Sequence, residues 1–201
     1  LSFGFFHKEI KNAIYTYRDV LENVVFGSRT FETLSRQTVR NAAPGHITGW
    51  ELTYQQNFTF LPHPLDGLGV AVNYTVTSSA VRAFDRTDET TFFGQPDEIG
   101  NVQLYFEKWG WETRIGYHWQ DDSLLTLGAS PEFDTYYDKR TSVDFKTGVR
   151  LNDRFRVYAE IRNLTNEPAR SYAEQPGLPA FNGPANEYFG VTYIAGLGWN
   201  F

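Results

Sequence analysis

Apolar and polar residues alternate through most of this chain. Over 49–61, Trp50, Leu52, Tyr54, Phe58 and Phe60 share one parity, against Glu51, Thr53, Gln55 and Asn57. Over 68–76, Leu68, Val70, Val72, Tyr74 and Val76 stand against Gly69, Ala71, Asn73 and Thr75. Successive side chains of a strand point to opposite faces, so a period of two predicts strands with one apolar face. The pattern recurs at 101–108 (Val102, Leu104, Phe106), 111–120 (Trp111, Ile115, Tyr117, Trp119), 141–151 (Val143, Phe145, Val149, Leu151), 155–163 (Phe155, Val157, Ala159, Ile161) and 187–201. The first expected strand, 1–17, is the least regular, with Leu1, Phe3 and Phe5 on one parity. About eight strands are expected in a single domain, 1–201, and no stretch carries a helical period.

The connections alternate as well. The stretches 63–68, 108–110 and 151–153 read as short turns built from Pro, Gly, Asn and Asp. Those near 18–45, 83–99, 121–135 and 165–186 read as long polar loops. Short turns and long loops should therefore sit at opposite ends of the strands, as they do in outer-membrane barrels.

Composition narrows the reading. Aromatic residues make up 17% of the 201 residues, yet mean hydropathy is −0.44. No run approaches the 18 apolar residues of a membrane helix, but a barrel strand is apolar only at alternate positions and keeps hydropathy low. The net charge of −6 argues against nucleic acid. There is no Cys for a disulfide or thiolate site. There is no Met, even at position 1, which suggests a section of a longer polypeptide.

An apolar strand face must meet either a protein core or lipid. Three features favour lipid. In the last five strands Glu107, Glu112, Arg114, Asp144, Lys146, Arg150, Arg156, Glu160 and Arg162 all fall on the polar parity, and there the apolar parity is expected to carry no charge before Glu187. A charge at the bilayer midplane on the lipid side of a barrel costs about 2–4 kcal/mol. Aromatics cluster near the strand ends of the apolar face, with Trp50, Trp111, Tyr117, Trp119 and Phe189 as the expected lipid-facing girdle. The runs also reach the roughly 9–11 residues that cross a bilayer. A complete eight-stranded barrel with a structural or adhesive role, and a soluble ligand-binding barrel, remain as alternatives. The second would turn Trp50, Trp111 and Trp199 into a closed core.

Three stretches carry a family resemblance: "GWELTYQQNFTFLPHPLDGLGVAVNYTVTSSA" (49–80), "RFRVYAEIRNLTNEPARSY" (154–172) and the terminal "YFGVTYIAGLGWNF". In order and spacing the chain resembles the carboxy-terminal part of a TonB-dependent outer-membrane receptor. The resemblance implies an all-β, antiparallel transmembrane barrel of 22 strands, of which this chain holds about eight. It also implies an amino-terminal plug and a TonB-contacting segment beyond this chain, a location in the bacterial outer membrane, and energised uptake of a scarce small molecule. Ferric siderophores, cobalamin and oligosaccharides are all family possibilities.

By the same analogy Tyr193, Leu197, Trp199 and Phe201 resemble the terminal signal read by the outer-membrane assembly machinery. A lipid-facing last strand requires the same pattern, so the two readings coexist.

Other constellations carry less. The histidines, His7, His46, His63 and His118, lack metal-ligand spacing, so no metal or cofactor is expected. Glu107 and Glu112 flank a tight turn, but Arg114 stands beside them and a polar barrel interior normally mixes charges, so no catalysis is expected. The acidic clusters 85–90 and 121–123 read as solvated loops. The cations Arg114, Lys146, Arg150, Arg156 and Arg162 could line a route for anions, but the interleaved acids favour cross-strand ion pairs. The sequons at Asn57, Asn73 and Asn163 lie on or beside strands and are discounted.

Overall fold

The alternating runs pair into one antiparallel sheet. The computed structural model describes residues 1–83, 86–128, 130–173 and 186–199. In chain order the strands are β1 (Ser2–Ile10), β2 (Ile14–Phe26), β3 (Arg29–Asn41), β4 (Gly45–Asn57), β5 (Leu68–Ala80), β6 (Glu98–Lys108), β7 (Trp111–Gln120), β8 (Ser123–Thr126), β9 (Thr135–Tyr137), β10 (Arg140–Arg150), β11 (Phe155–Arg162), β12 (Ala169–Ala173), β13 (Asn186–Glu187) and β14 (Thr192–Trp199). The main sheet has eight strands in the order β1-β4-β5-β6-β7-β10-β11-β14. These correspond to the eight strands expected from the alternation. Among the described residues β1 and β14 are opposite edges and do not pair, so the closed eight-stranded alternative is not the arrangement seen.

Opposite partners in an antiparallel pair share a face, so the register decides which residues line up. One row runs Leu104, Ile115, Phe145, Ile161, Tyr193. The next runs Gln103, Gly116, Asp144. The two parities thus remain separate across the sheet, and one face is apolar throughout its middle.

The strands are also staggered. The row Asn57, Gly69, Tyr105, Arg114, Lys146, Glu160, Ile194 starts at the last residue of β4 and ends five positions short of the end of β14. At about 3.3 Å per residue and about 4.8 Å per strand step, that climb tilts the strands by about 30°. The value lies near the tilt of roughly 35–45° in membrane barrels.

Several strand pairs place an aromatic ring directly on a partner glycine. Trp119 lies over Gly100 and Tyr158 over Gly196; a Cβ at Gly100 would come within 1.9 Å of the indole. The missing side chain is what lets each ring lie flat on the sheet, the aromatic rescue of a weak strand position.

The short turns do lie at one end, joining β4 to β5, β6 to β7 and β10 to β11. The other end departs from expectation, because the long connections are themselves β-structure. Residues 18–45, expected as a loop, hold most of β2 and β3, a hairpin of two 13-residue strands. The expected first strand 1–17 breaks at 11–13, where Asn12 takes a φ of 59°, and its end belongs to that hairpin. Parts of 121–135 and 165–186 join in a second sheet, β13-β12-β9-β8. Polar residues fall on both parities in these segments, so alternation does not reveal them.

The buried core is small and lies at this loop end. Tyr15, Ala42, Val81 and Phe92 pack together, with Ile10, Ala13, Ile47 and Leu127 against them. Burial pushes the Tyr15 phenol up to about 12.

Candidate functional site

The two features with chemical character are the polar face of the main sheet and the cap of long connections above it. All nine charged residues expected on the polar face share it in the observed register: Glu107, Glu112, Arg114, Asp144, Lys146, Arg150, Arg156, Glu160 and Arg162. Arg114 donates from Nη2 to Glu107 Oε1 at 2.6 Å, across the β6–β7 pair. Arg162 pairs with Glu160 two positions along β11. Asp144 lies 3.8 Å from His118 and accepts the Asn163 N–H at 2.8 Å.

Arg156 pairs with Glu112 although β10 lies between their strands. The pair passes above Gly148, the direct partner of Glu112. A Cβ there would stand 3.3 Å from Glu112 Oε1 and 3.4 Å from Arg156 Nε. Sequence reasoning found both charges but not their pairing, because the two strands are not neighbours. Lys146 stands directly opposite Glu160, and neither Lys146 nor Arg150 makes an ion pair among the described residues.

The apolar face carries Trp50, Trp111, Tyr117 and Trp119 as expected; the first three are exposed and Trp119 is half-buried. Trp50 stacks on Phe3 at 5.1 Å, and Trp199 on Phe155 at 5.7 Å. The soluble alternative placed Trp50, Trp111 and Trp199 inside a closed core; all three are at least 48% exposed. Trp111 donates to the hydroxyls of Thr113 at 2.8 Å and Thr147 at 3.0 Å, so the polar atoms of this patch satisfy one another.

Three details differ from the sequence reading. Phe189 lies in the connection before β14, because the last strand begins only at Thr192. Glu187 pairs in β13 with Ala169 and is not on the last strand. The apolar parity does carry charge near strand ends: Glu98 opens β6, Lys108 closes it, and Glu9 stands one residue before the end of β1, opposite His46. Glu98 accepts the Tyr74 hydroxyl at 2.9 Å, and Lys108 pairs with Asp66, so these two charges are engaged at the rims of the face. On β14, Tyr193 and Leu197 are 72% and 79% exposed, with Trp199 beside them; Phe201 lies outside the described residues.

In the cap, Arg86 ties two connections together. It donates from Nη1 to Asp134 Oδ1 at 2.6 Å and from Nε to Asp88 Oδ1 at 3.0 Å. The same Asp134 oxygen accepts the Gly128 N–H at 2.8 Å, and its side chain is 2% exposed. The Arg86 hydrogen bond holds the Asp88 carboxyl below its ordinary value, and the two carboxylates together raise that of Arg86. The 85–90 cluster, read as a solvated loop, is thus partly a packed clasp; Asp85 itself lies outside the described residues. Tyr172 donates to Asp122, joining β12 to the β7–β8 connection. Among the described residues, no group of three or more His, Asp or Glu is placed to hold a metal ion.

A staggered antiparallel sheet with one exposed apolar face, one charged face, and short turns opposite long connections has the design of a section of transmembrane β-barrel wall. A family model described as TonB dependent receptor-like, beta-barrel, matches residues 1–164. The chain belongs to that family. Among solved structures it is similar to the ferric enterobactin receptor PfeA from Pseudomonas aeruginosa, with a TM-score of 0.65 at 16% identity, a likeness that shows the fold. The match covers 99% of this chain and 28% of that one. No curated protein matches in sequence.

Proposed function

We propose that the chain is part of the barrel of a TonB-dependent transporter in a bacterial outer membrane. In this reading the barrel closes at 22 strands around an amino-terminal plug and imports a scarce ligand with energy relayed by the TonB system. The observation that carries the reading is the family match over 1–164, on a chain whose alternate residues form one continuous apolar face. A ferric siderophore is the favoured ligand class, supported by the ferric enterobactin receptor whose fold this chain resembles.

The apolar face meets lipid, with Trp50, Trp111, Tyr117 and Trp119 in it, and the charged face lines the lumen. The role is transport and not catalysis, since Glu107 and Glu112, the acids flanking the β6–β7 turn, are each engaged by an arginine. Tyr193, Leu197, Trp199 and Phe201 act as the terminal assembly signal; the exposed side chains and open edge of β14 suit strand addition.

The test is uptake of radiolabelled ferric siderophores by iron-starved cells expressing or lacking the intact receptor, with and without a functional TonB protein. Uptake that needs both supports the reading. Uptake unchanged by loss of the receptor, across siderophore, cobalamin and oligosaccharide panels, removes it.

A further inference from the structure

The apolar face continues past the strands at the short-turn end. Phe58 donates its N–H to the Leu68 carbonyl at 2.8 Å, extending the β4–β5 ladder, and Leu68 is the partner of Phe106. Phe60 packs edge-on to Phe58 at 5.8 Å and is 75% exposed. From there the loop folds back onto the apolar side of β6. Gly67 allows this, because a Cβ on it would come within 3.0 Å of the Phe106 ring and Lys108 Cβ. The 109–110 turn contributes Trp109, 64% exposed, whose ring lies 5.1 Å from His63 and 6.2 Å from Phe106.

The loop is closed by internal bonds, from Leu61 N–H to the Phe58 carbonyl and from Leu65 N–H to the Pro62 carbonyl. Its cation is matched: Lys108 pairs with Asp66 and sits 5.2 Å over the Trp109 ring. Hydrogen bonding to Lys108 holds the Asp66 carboxyl below its ordinary range. The result is an exposed apolar projection with paired opposite charges at its root.

We propose that residues 58–67 and the 109–110 turn form a foot that lies in the zwitterionic phospholipid headgroup layer of the leaflet beside the short turns. The inference rests on the barrel reading above. Continuity with the apolar face directs the foot toward lipid and not into the lumen. Trp, with an apolar body and a polar N–H, is suited to that layer. The matched Lys108–Asp66 charges suit a zwitterionic surface.

The experiment uses the full-length receptor in phosphatidylcholine vesicles, either plain or brominated just below the headgroup, and compares wild type with Trp109→Phe and Trp111→Phe. The proposal expects Trp109→Phe to reduce the emission quenched by brominated lipid, and Phe60→Trp in that background to restore it. It is overturned if Trp109→Phe leaves that quenching unchanged and the Trp109 emission is quenched by aqueous iodide instead. Trp111 separates the two readings. If Trp111 is lipid-quenched and Trp109 is not, the foot fails alone; if neither is, the barrel reading fails with it.

Discussion

Arg156 on β11 reaches over β10 to pair with Glu112 on β7, passing above Gly148, which has no side chain to obstruct it. The polar face is therefore linked across second neighbours as well as through its ladder. Both side chains are roughly a third to a half exposed, so solvent screens the attraction.

The first prediction concerns that link. In a double-mutant cycle of Glu112→Gln and Arg156→Gln, the coupling should be below about 1 kcal/mol in thermal unfolding and fall with added salt. Gly148→Leu should abolish the coupling. A coupling that survives in the leucine variant would mean that the pair does not cross above residue 148.

The rings seated on glycine give a second. Gly100→Ala puts a Cβ into the Trp119 indole and should destabilise by about 1–3 kcal/mol. Adding Trp119→Val should recover part of the loss. The midpoint of urea unfolding in lipid vesicles measures both effects, and equal losses for the single and double variants would count against the contact.

A third separates the faces. Ile115→Arg lies in the middle of the apolar row and should cost about 2–4 kcal/mol in a bilayer. Gln103→Arg, on the opposite parity of β6, should change stability by less than about 0.5 kcal/mol. Folding titrations in lipid vesicles distinguish the two, and equal costs would contradict the assignment of the faces.

The cap provides a fourth. Arg86→Ala leaves the buried Asp134 carboxylate without its cation and should loosen the cap by about 3–5 kcal/mol, read as faster hydrogen exchange over 122–137. The pH dependence follows from Asp88. Its folded-state pKa is lowered by Arg86, so its contribution is fully present above the ordinary value of about 3.9 and is lost as pH falls through the lowered one. Exchange in the cap should stay slow from neutral pH to about pH 5 and accelerate in stronger acid, and Asp88→Asn should remove that acid step. A cap that opens between about pH 7 and 5 would show that another group controls it.

The eight main strands, the division of their faces and the placement of short turns opposite long connections are legible in the sequence. Parity is a local property: each strand of a one-layer sheet must be apolar on one side, whatever its partners. The charge ladder is legible for the same reason, down to the residues that share the face. Which charges meet is not, because Glu112 and Arg156 are brought together by the register of β7, β10 and β11 and by the gap at Gly148. The start of β14 is not legible either, because Phe189 and Val191 continue the parity of the strand without its pairing. The β2–β3 hairpin and the β8–β9–β12–β13 sheet are not legible, because they pair outside the main sheet and place polar residues on both parities. Their existence rests on backbone pairing and on contacts such as Arg86 with Asp134, between residues 48 positions apart. Which strands form the main sheet, and which side of each is apolar, follows from the order of residues along the chain. The stagger, the ion pairs and the packed cap arise on folding, because each depends on atoms brought close by register and not by neighbourhood in the chain.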